Sequence, residues 1–161
     1  LASKGAAISL DDILMLHKMV LHESQDGGVL RKSGEIAVIS GKKVLFAMPD
    51  EIEALLQKFV AWLSDESKRT HPFLIAVECH TIFVTIHPFR DGNGRMARLL
   101  ANIVLLQHGY PPLIVLFKKR DLYLKTIQEW NESDSRGLTS CFADFMHTSF
   151  EIYFQALNVA Q

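Results

Sequence analysis

Apolar residues in this chain recur mainly at helical spacing. Leu10, Ile13, Leu14, His17 and Leu21 share one face, which predicts an amphipathic helix from residue 10 to about 21. Ser9 stands where an N-cap belongs, and Asp11 and Asp12 suit the positive end of a helix. Gln25-Asp26-Gly27-Gly28 breaks the pattern. The rhythm then changes. Glu35–Ile39 and Lys43–Phe46 are rich in β-branched and large apolar residues, with Ser40-Gly41-Lys42 between them, which predicts a β-hairpin. Two strands are marginal by themselves in water, so this hairpin must pack on something or wait for a partner. From Pro49 the helical period returns, with Ile52, Leu55, Leu56, Phe59, Val60 and Leu63 inward and Lys58 and Glu66 outward. Thr70-His71-Pro72 looks like a capped helix start with proline in the first turn.

The run Phe73–Ile86 is apolar nearly all round. Periodicity does not separate a buried helix from a strand there, but the length exceeds a usual strand and predicts the central helix of a bundle. A loop at 87–94 follows, then a helix from Arg95 to Gln107 that ends at Gly109, with Tyr110-Pro111-Pro112 blocking continuation. Two further helices are expected at about 118–131 and 137–157. The expected fold class is mainly α, a helical bundle with one β-hairpin. It forms a single domain over 9–157, preceded by a loosely tied lead-in at 1–8.

Composition adds exclusions. The chain has 161 residues, 48% hydrophobic and 22% charged, which suits one soluble globular domain rather than a disordered chain. Lys plus Arg is 17 against 18 for Asp plus Glu, so a broad DNA-binding surface is excluded by charge. Cys79 and Cys141 are too few for a disulfide scaffold, and reduced, cytoplasmic thiols are the expectation, with a secreted effector left open. No apolar run is long enough to span a membrane. A start at Leu1 rather than Met suggests a fragment of a longer chain. His17, His22, His80, His108 and His147 show no metal-ligand spacing and read as packing or surface, as Met96 and Trp130 read as core.

Candidate chemistry concentrates in His87-Pro88-Phe89-Arg90-Asp91-Gly92-Asn93-Gly94-Arg95. Gly92 and Gly94 allow backbone conformations with φ > 0, and a loop opening a helix presents N–H groups as an anion cradle. Arg95 can reach the same anion, Asp91 suits Mg²⁺, Asn93 can donate to a phosphate oxygen, and His87 can carry a proton near neutral pH. His71-Pro72-Phe73 repeats the first three letters upstream without the acid, glycines or arginine, so it is a helix start and nothing more.

The segment His87–Arg95 resembles the signature of Fic domains, His-Pro-Phe-x-Asp/Glu-Gly-Asn-Gly-Arg, and all eight fixed positions agree. The resemblance runs from about residue 10 to 155. It implies a Fic-type helical bundle whose hairpin is a flap, and transfer of AMP from Mg²⁺-ATP to a Ser, Thr or Tyr hydroxyl of a target protein. Carried over by position, His87 would be the base and Asp91 the metal ligand. Gly92, Asn93 and Gly94 would line the anion hole, Arg95 would grip the terminal phosphates, and Phe89 would anchor the loop. Gly94 matches the AMP-transferring majority; a lysine stands there in a phosphorylating branch.

The hairpin, through Ile36, Val38, Val44 and Phe46, would dock the target by strand addition. Tyr123 and Asn131 fall where related proteins contact adenine and ribose, or are equally a core residue and a helix cap. The inhibitory pattern Ser/Thr-x-x-x-Glu-Gly/Asn of many Fic proteins is not found; at the C-terminal candidate, Tyr153 stands where glutamate would be needed. An inhibitory helix would then lie upstream of Leu1, or act in trans as an antitoxin, or be missing. An oligomer is compatible with this reading. The alternatives are transfer of another nucleotide, removal of AMP, or an idle nucleotide- or partner-binding module.

Overall fold

The computed structural model describes residues 3, 5–22, 24–32, 37–39, 42–44, 46–66, 71–116, 119–131 and 135–157, with the backbone alone for 37–39, 42–44, 66, 120, 128–131 and 135. The elements in chain order are α1 (Leu10–Val20), β1 (Ala37–Ile39), β2 (Lys42–Val44), α2 (Ile52–Glu66), α3 (Pro72–Ile86), α4 (Asn93–Gln107), α5 (Arg120–Asn131) and α6 (Ser135–Ala156).

Helix starts follow local chemistry. The Ser9 side chain accepts from the Asp12 N–H while the Asp12 carboxylate accepts from the Ser9 N–H, a reciprocal capping box that begins α1. His71 caps α3 by accepting from the Phe73 N–H, with Pro72 in the first turn where no amide hydrogen is needed. Gly109, at φ +80, ends the turn after α4.

α3 is the axis of the bundle. Nine of its fifteen residues are buried, and it packs against α2, α4, α5 and α6. Its apolar surface all round reflects that position, since a helix covered on every side has no solvated stripe to keep polar. Phe83, Ile75, Leu100, Met96, Leu56, Phe142 and Phe145 form the middle of the core. Among the described residues no helix is long and apolar enough to cross a membrane.

Several expectations need correction. β1 and β2 are three residues each and antiparallel, with Ile39 opposite Lys42 and Ala37 opposite Val44. Lys42 is therefore inside the ladder rather than in the connection, and Phe46 lies beyond it. α4 begins at Asn93, two residues before the expected start, because Gly92 makes the turn and Gly94 is already helical. α6 begins at Ser135, so Gly137 lies inside its first turn rather than in the break. The end of the lead-in is packed: Ile8 is buried, and the Gln107 amide donates to the Ala6 carbonyl at 2.8 Å.

His80, expected as packing, is fully buried on α3, 2.6 Å from the Tyr123 hydroxyl through Nε2. Burial and the nearby Arg98 charge push its pKa down to about 3. The folded protein thus holds His80 neutral, whereas the unfolded chain takes up a proton near pH 6.5. Stability is therefore complete above that pH and declines as pH falls towards 3, by up to about 1.4 kcal/mol per pH unit from this group. We expect thermal melting at pH 5.5 to fall below that at pH 7.5, and His80→Gln to flatten the difference. An equal pH dependence in that variant would remove His80 as its source.

Candidate active site

The loop between α3 and α4 is short and over-determined. α3 ends on His87, whose backbone is left-handed at φ +51 and ψ +58, an uncommon conformation for a residue with a side chain. Gly92 opens α4 at φ +79. A Cβ at Gly92 would lie 3.1 Å from His17 Nε2 and 3.3 Å from the Leu21 side chain, so this glycine is required by both conformation and space. Gly94, expected to share the positive φ, does not, and a Cβ there would meet Arg98 at an ordinary 3.5 Å.

Phe89 is fully buried beneath the loop, stacked on His17 with ring centroids 3.5 Å apart and planes 8° apart. Asn93 closes the loop from inside. Its amide oxygen accepts from the Phe89 N–H at 3.0 Å, and its NH₂ donates to the Phe89 carbonyl at 2.7 Å. The Asn93 side chain, expected as a phosphate donor, is thus engaged in holding the loop through its oxygen and one amide hydrogen. Gly92 lines the cleft, and its N–H donates to Asp91 Oδ1 at 2.6 Å. The first N–H groups of α4, on Asn93, Gly94 and Arg95, have no acceptor within the helix. They precede the first bond of the helix, from the Met96 N–H to the Gly92 carbonyl at 2.9 Å. Unlike α1 and α3, this helix has no side-chain cap over its start.

His17 bridges two segments. The Gly28 N–H can only donate, so His17 Nδ1 accepts it at 2.9 Å, and Nε2 carries the hydrogen donated to the Asp91 carbonyl at 3.0 Å. Burial holds its pKa below the ordinary histidine range despite the favourable Asp91 carbonyl contact, with the Arg95 charge acting in the same direction as burial. His17 was expected to be packing. Its place in the apolar stripe of α1 was the available signal, since two ring nitrogens on a buried face need partners.

A cleft of about 520 Å³ opens above the loop, with His87, Asp91, Arg95 and Arg98 on its polar side and Val115, Leu116 and Leu124 on its apolar side. His87 Nδ1 lies 3.3 Å from the Val84 carbonyl, which can only accept, so Nδ1 carries a hydrogen in this contact. Asp91 Oδ2 pairs with Arg95 at 3.0 Å, and the Arg95 guanidinium also donates to the Val20 carbonyl at 3.2 Å. Both side chains are well exposed, which makes the pair weak and its partners exchangeable. Arg98, missed in the sequence, lies one helical turn beyond Arg95 and donates to the Tyr123 hydroxyl at 3.4 Å.

Tyr123 is a core residue, only 4% exposed, that also lines the cleft. Asn131 closes α5, but its side chain lies outside the described residues, as does Ile36 altogether. Val38 and Val44 lie in β1 and β2, with side chains outside the described residues. Phe46 stacks on His87 at 3.8 Å and 15°. Cys79 and Cys141 are buried, and burial pushes both thiols up, which disfavours the thiolate.

Comparison with known proteins matches the part of the chain that contains this loop. The Fic/DOC family profile matches residues 7–105. The chain belongs to the Fic/DOC family. A "Protein adenylyltransferase Fic" of Drosophila grimshawi is 38% identical over 154 residues, 94% of this chain and 31% of that protein. The protein of the same name in Culex quinquefasciatus is 35% identical over 161 residues, 98% of this chain and again 31% of the relative. The solved structure "Fic-1 (aa134 - 508) from C. elegans" superposes with a TM-score of 0.78 at 31% identity, covering 92% of this chain and 43% of that one. The chain therefore spans about a third of the length of these curated relatives.

If the Asn93 clamp holds the Fic loop as described, Asn93→Ala leaves the Phe89 N–H and carbonyl unpaired. We expect a loss of about 1–3 kcal/mol in denaturant unfolding. Asn93→Asp keeps an acceptor for the Phe89 N–H but sets a buried carboxylate oxygen against the Phe89 carbonyl, so it should lose at least as much. Equal stability of Asn93→Ala and the parent chain would contradict the clamp.

Proposed function

We propose that this chain is a Fic-type nucleotidyltransferase that moves AMP from Mg²⁺-ATP to a Ser, Thr or Tyr hydroxyl of a target protein. The observation that carries this reading is the placement of His87. Its left-handed backbone and its Nδ1 contact to the Val84 carbonyl set the side chain in the lining of a cleft that also holds the uncapped start of α4.

In this reaction the target hydroxyl oxygen forms a bond to the α-phosphorus as His87 Nε2 takes its proton. The bond from that phosphorus to the pyrophosphate oxygen breaks, and the leaving charge stays with pyrophosphate. The N–H groups of Asn93, Gly94 and Arg95 favour phosphate oxygens through direct bonds and the helix dipole. Arg95 and Arg98 add positive charge on the same side, and Arg95 can exchange its Asp91 contact for phosphate oxygens. Val115, Leu116 and Leu124 offer an apolar wall suited to a nucleobase.

Asp91 fits Mg²⁺ by donor chemistry: it is a hard, exposed carboxylate at the cleft. Among the described residues no group of three His, Cys, Asp or Glu could hold an ion by itself. That suits an ion completed by nucleotide phosphates. When bound, the ion supplies charge neutralisation at the phosphates. The β1–β2 hairpin leads through Phe46 to the His87 ring, which supports its role as the flap that lays a target segment beside the base by strand addition.

Incubation with labelled ATP, followed by mass spectrometry for an AMP adduct on the protein itself or a target, tests the reaction. His87→Ala should lower transfer by roughly 10²–10⁴-fold with ATP binding retained. Arg95→Ala should instead weaken ATP binding by roughly tenfold or more, since it removes a charge-assisted phosphate contact. Undiminished transfer by the His87 variant would overturn the assigned base.

A further inference from the structure

Two side chains outside the motif hold His87 from one stretch of chain. Arg31, between α1 and β1, is 3% exposed. Its Nε donates to the His87 carbonyl at 2.7 Å, and a second guanidinium nitrogen donates to the Ala47 carbonyl. Its own N–H donates to the Pro88 carbonyl at 3.0 Å. Ala47 follows Phe46, the residue whose ring lies flat on the His87 imidazole. The carbonyl of His87 is therefore gripped together with the chain leaving the hairpin, and its ring is covered by that same chain.

This arrangement has a mechanical reason. His87 sits in a left-handed conformation that a residue with a Cβ leaves unless its surroundings hold it there. A change in that φ would swing the imidazole as a whole. The phosphate-binding floor is fastened separately, by His17 at the Asp91 carbonyl and by Asn93 at Phe89. Burying a guanidinium is costly unless its donors are used, and here it spans two carbonyls of segments distant in sequence.

We propose that Arg31 and Phe46 are positioning residues that lock the backbone and ring of His87 to the exit of the hairpin. A polypeptide seated along the hairpin and the base that takes its hydroxyl proton are then aligned by one set of contacts. This rests on the transfer reaction proposed above. Displacing the hairpin exit moves the Ala47 carbonyl and the Phe46 ring, and both movements reach His87 before they reach the phosphate floor. The loss on disrupting the lock therefore falls on the transfer step and not on nucleotide affinity.

The test uses the full chain with Arg31→Met, Arg31→Lys and Phe46→Leu. AMP transfer onto the protein itself is measured at saturating labelled ATP, ATP affinity by calorimetry, and the imidazole resonances by nitrogen-15 NMR. Arg31→Met and Phe46→Leu should each slow transfer by about tenfold or more, with ATP affinity changed less than about twofold. Arg31→Lys, which keeps one donor, should recover part of the rate. The His87 signal, identified by its disappearance in His87→Ala, should shift or broaden in both disruptive variants while that of exposed His147 does not. Full-rate transfer in both, or a loss lying wholly in ATP affinity, overturns the lock. If the parent chain transfers no AMP, the reaction assignment fails, and an unchanged His87 signal in the variants is then what overturns the lock. Should Arg31→Met fail to fold, Phe46→Leu decides, because it disturbs no buried charge.

Discussion

The Phe89 ring, removed from water beneath a six-residue connection, is the contact on which the site depends. It lies flat on His17 and within 6.3 Å of Phe83, between α1 and α3. Burial of a phenylalanine is worth about 1.5–3 kcal/mol relative to exposure, enough to hold a loop that has no ladder of its own. With Phe89 seated, Asn93 can close on its backbone, and the chain must reverse through His87 and Gly92. The open helix end under the cleft follows from that anchor. The loop is rigid because its middle residue belongs to the core.

Charge is distributed accordingly. The buried histidines, His17 and His80, are held neutral by burial and serve as hydrogen-bonding parts of the scaffold. Asp91, Arg95 and Arg98 face the cleft, where their interactions can change when an anion arrives. Backbone N–H groups contribute attraction without a formal charge, so a net charge of −1 is compatible with the phosphate site proposed for this cleft. Polar contacts from distant segments reach this loop, among them His17 at Asp91, Arg31 at His87 and at Pro88, and Asp26 at Arg90.

Much of the fold was legible because its helices carry their own signals. Ser9 with Asp12, and His71 with Pro72, mark starts that need no distant partner. The apolar belt from Phe73 to Ile86 was readable as central since only a surrounded helix lacks a polar face. Boundaries near glycine were less legible. Gly94 and Gly137 look like breaks, yet both sit inside first turns, where helix geometry tolerates glycine once neighbours hold the helix. The motif was legible in order and chemistry, but not in the division of labour within it. Asn93 reads as a phosphate donor by residue type, and its amide turns out to hold Phe89.

The sequence by itself determined where the helices lie, that His87–Arg95 joins two of them, and which residue types could meet a nucleotide. Local spacing and side-chain chemistry suffice for that, because each signal acts within a few residues. Only the tertiary structure decided which groups face the cleft and which are consumed in holding it. His17 is 74 residues from Asp91, and Arg31 is 56 from His87 and 16 from Ala47. No periodicity records such pairings. They arise because a buried imidazole or guanidinium must find partners wherever the folded chain brings them, and here it brings them to one loop.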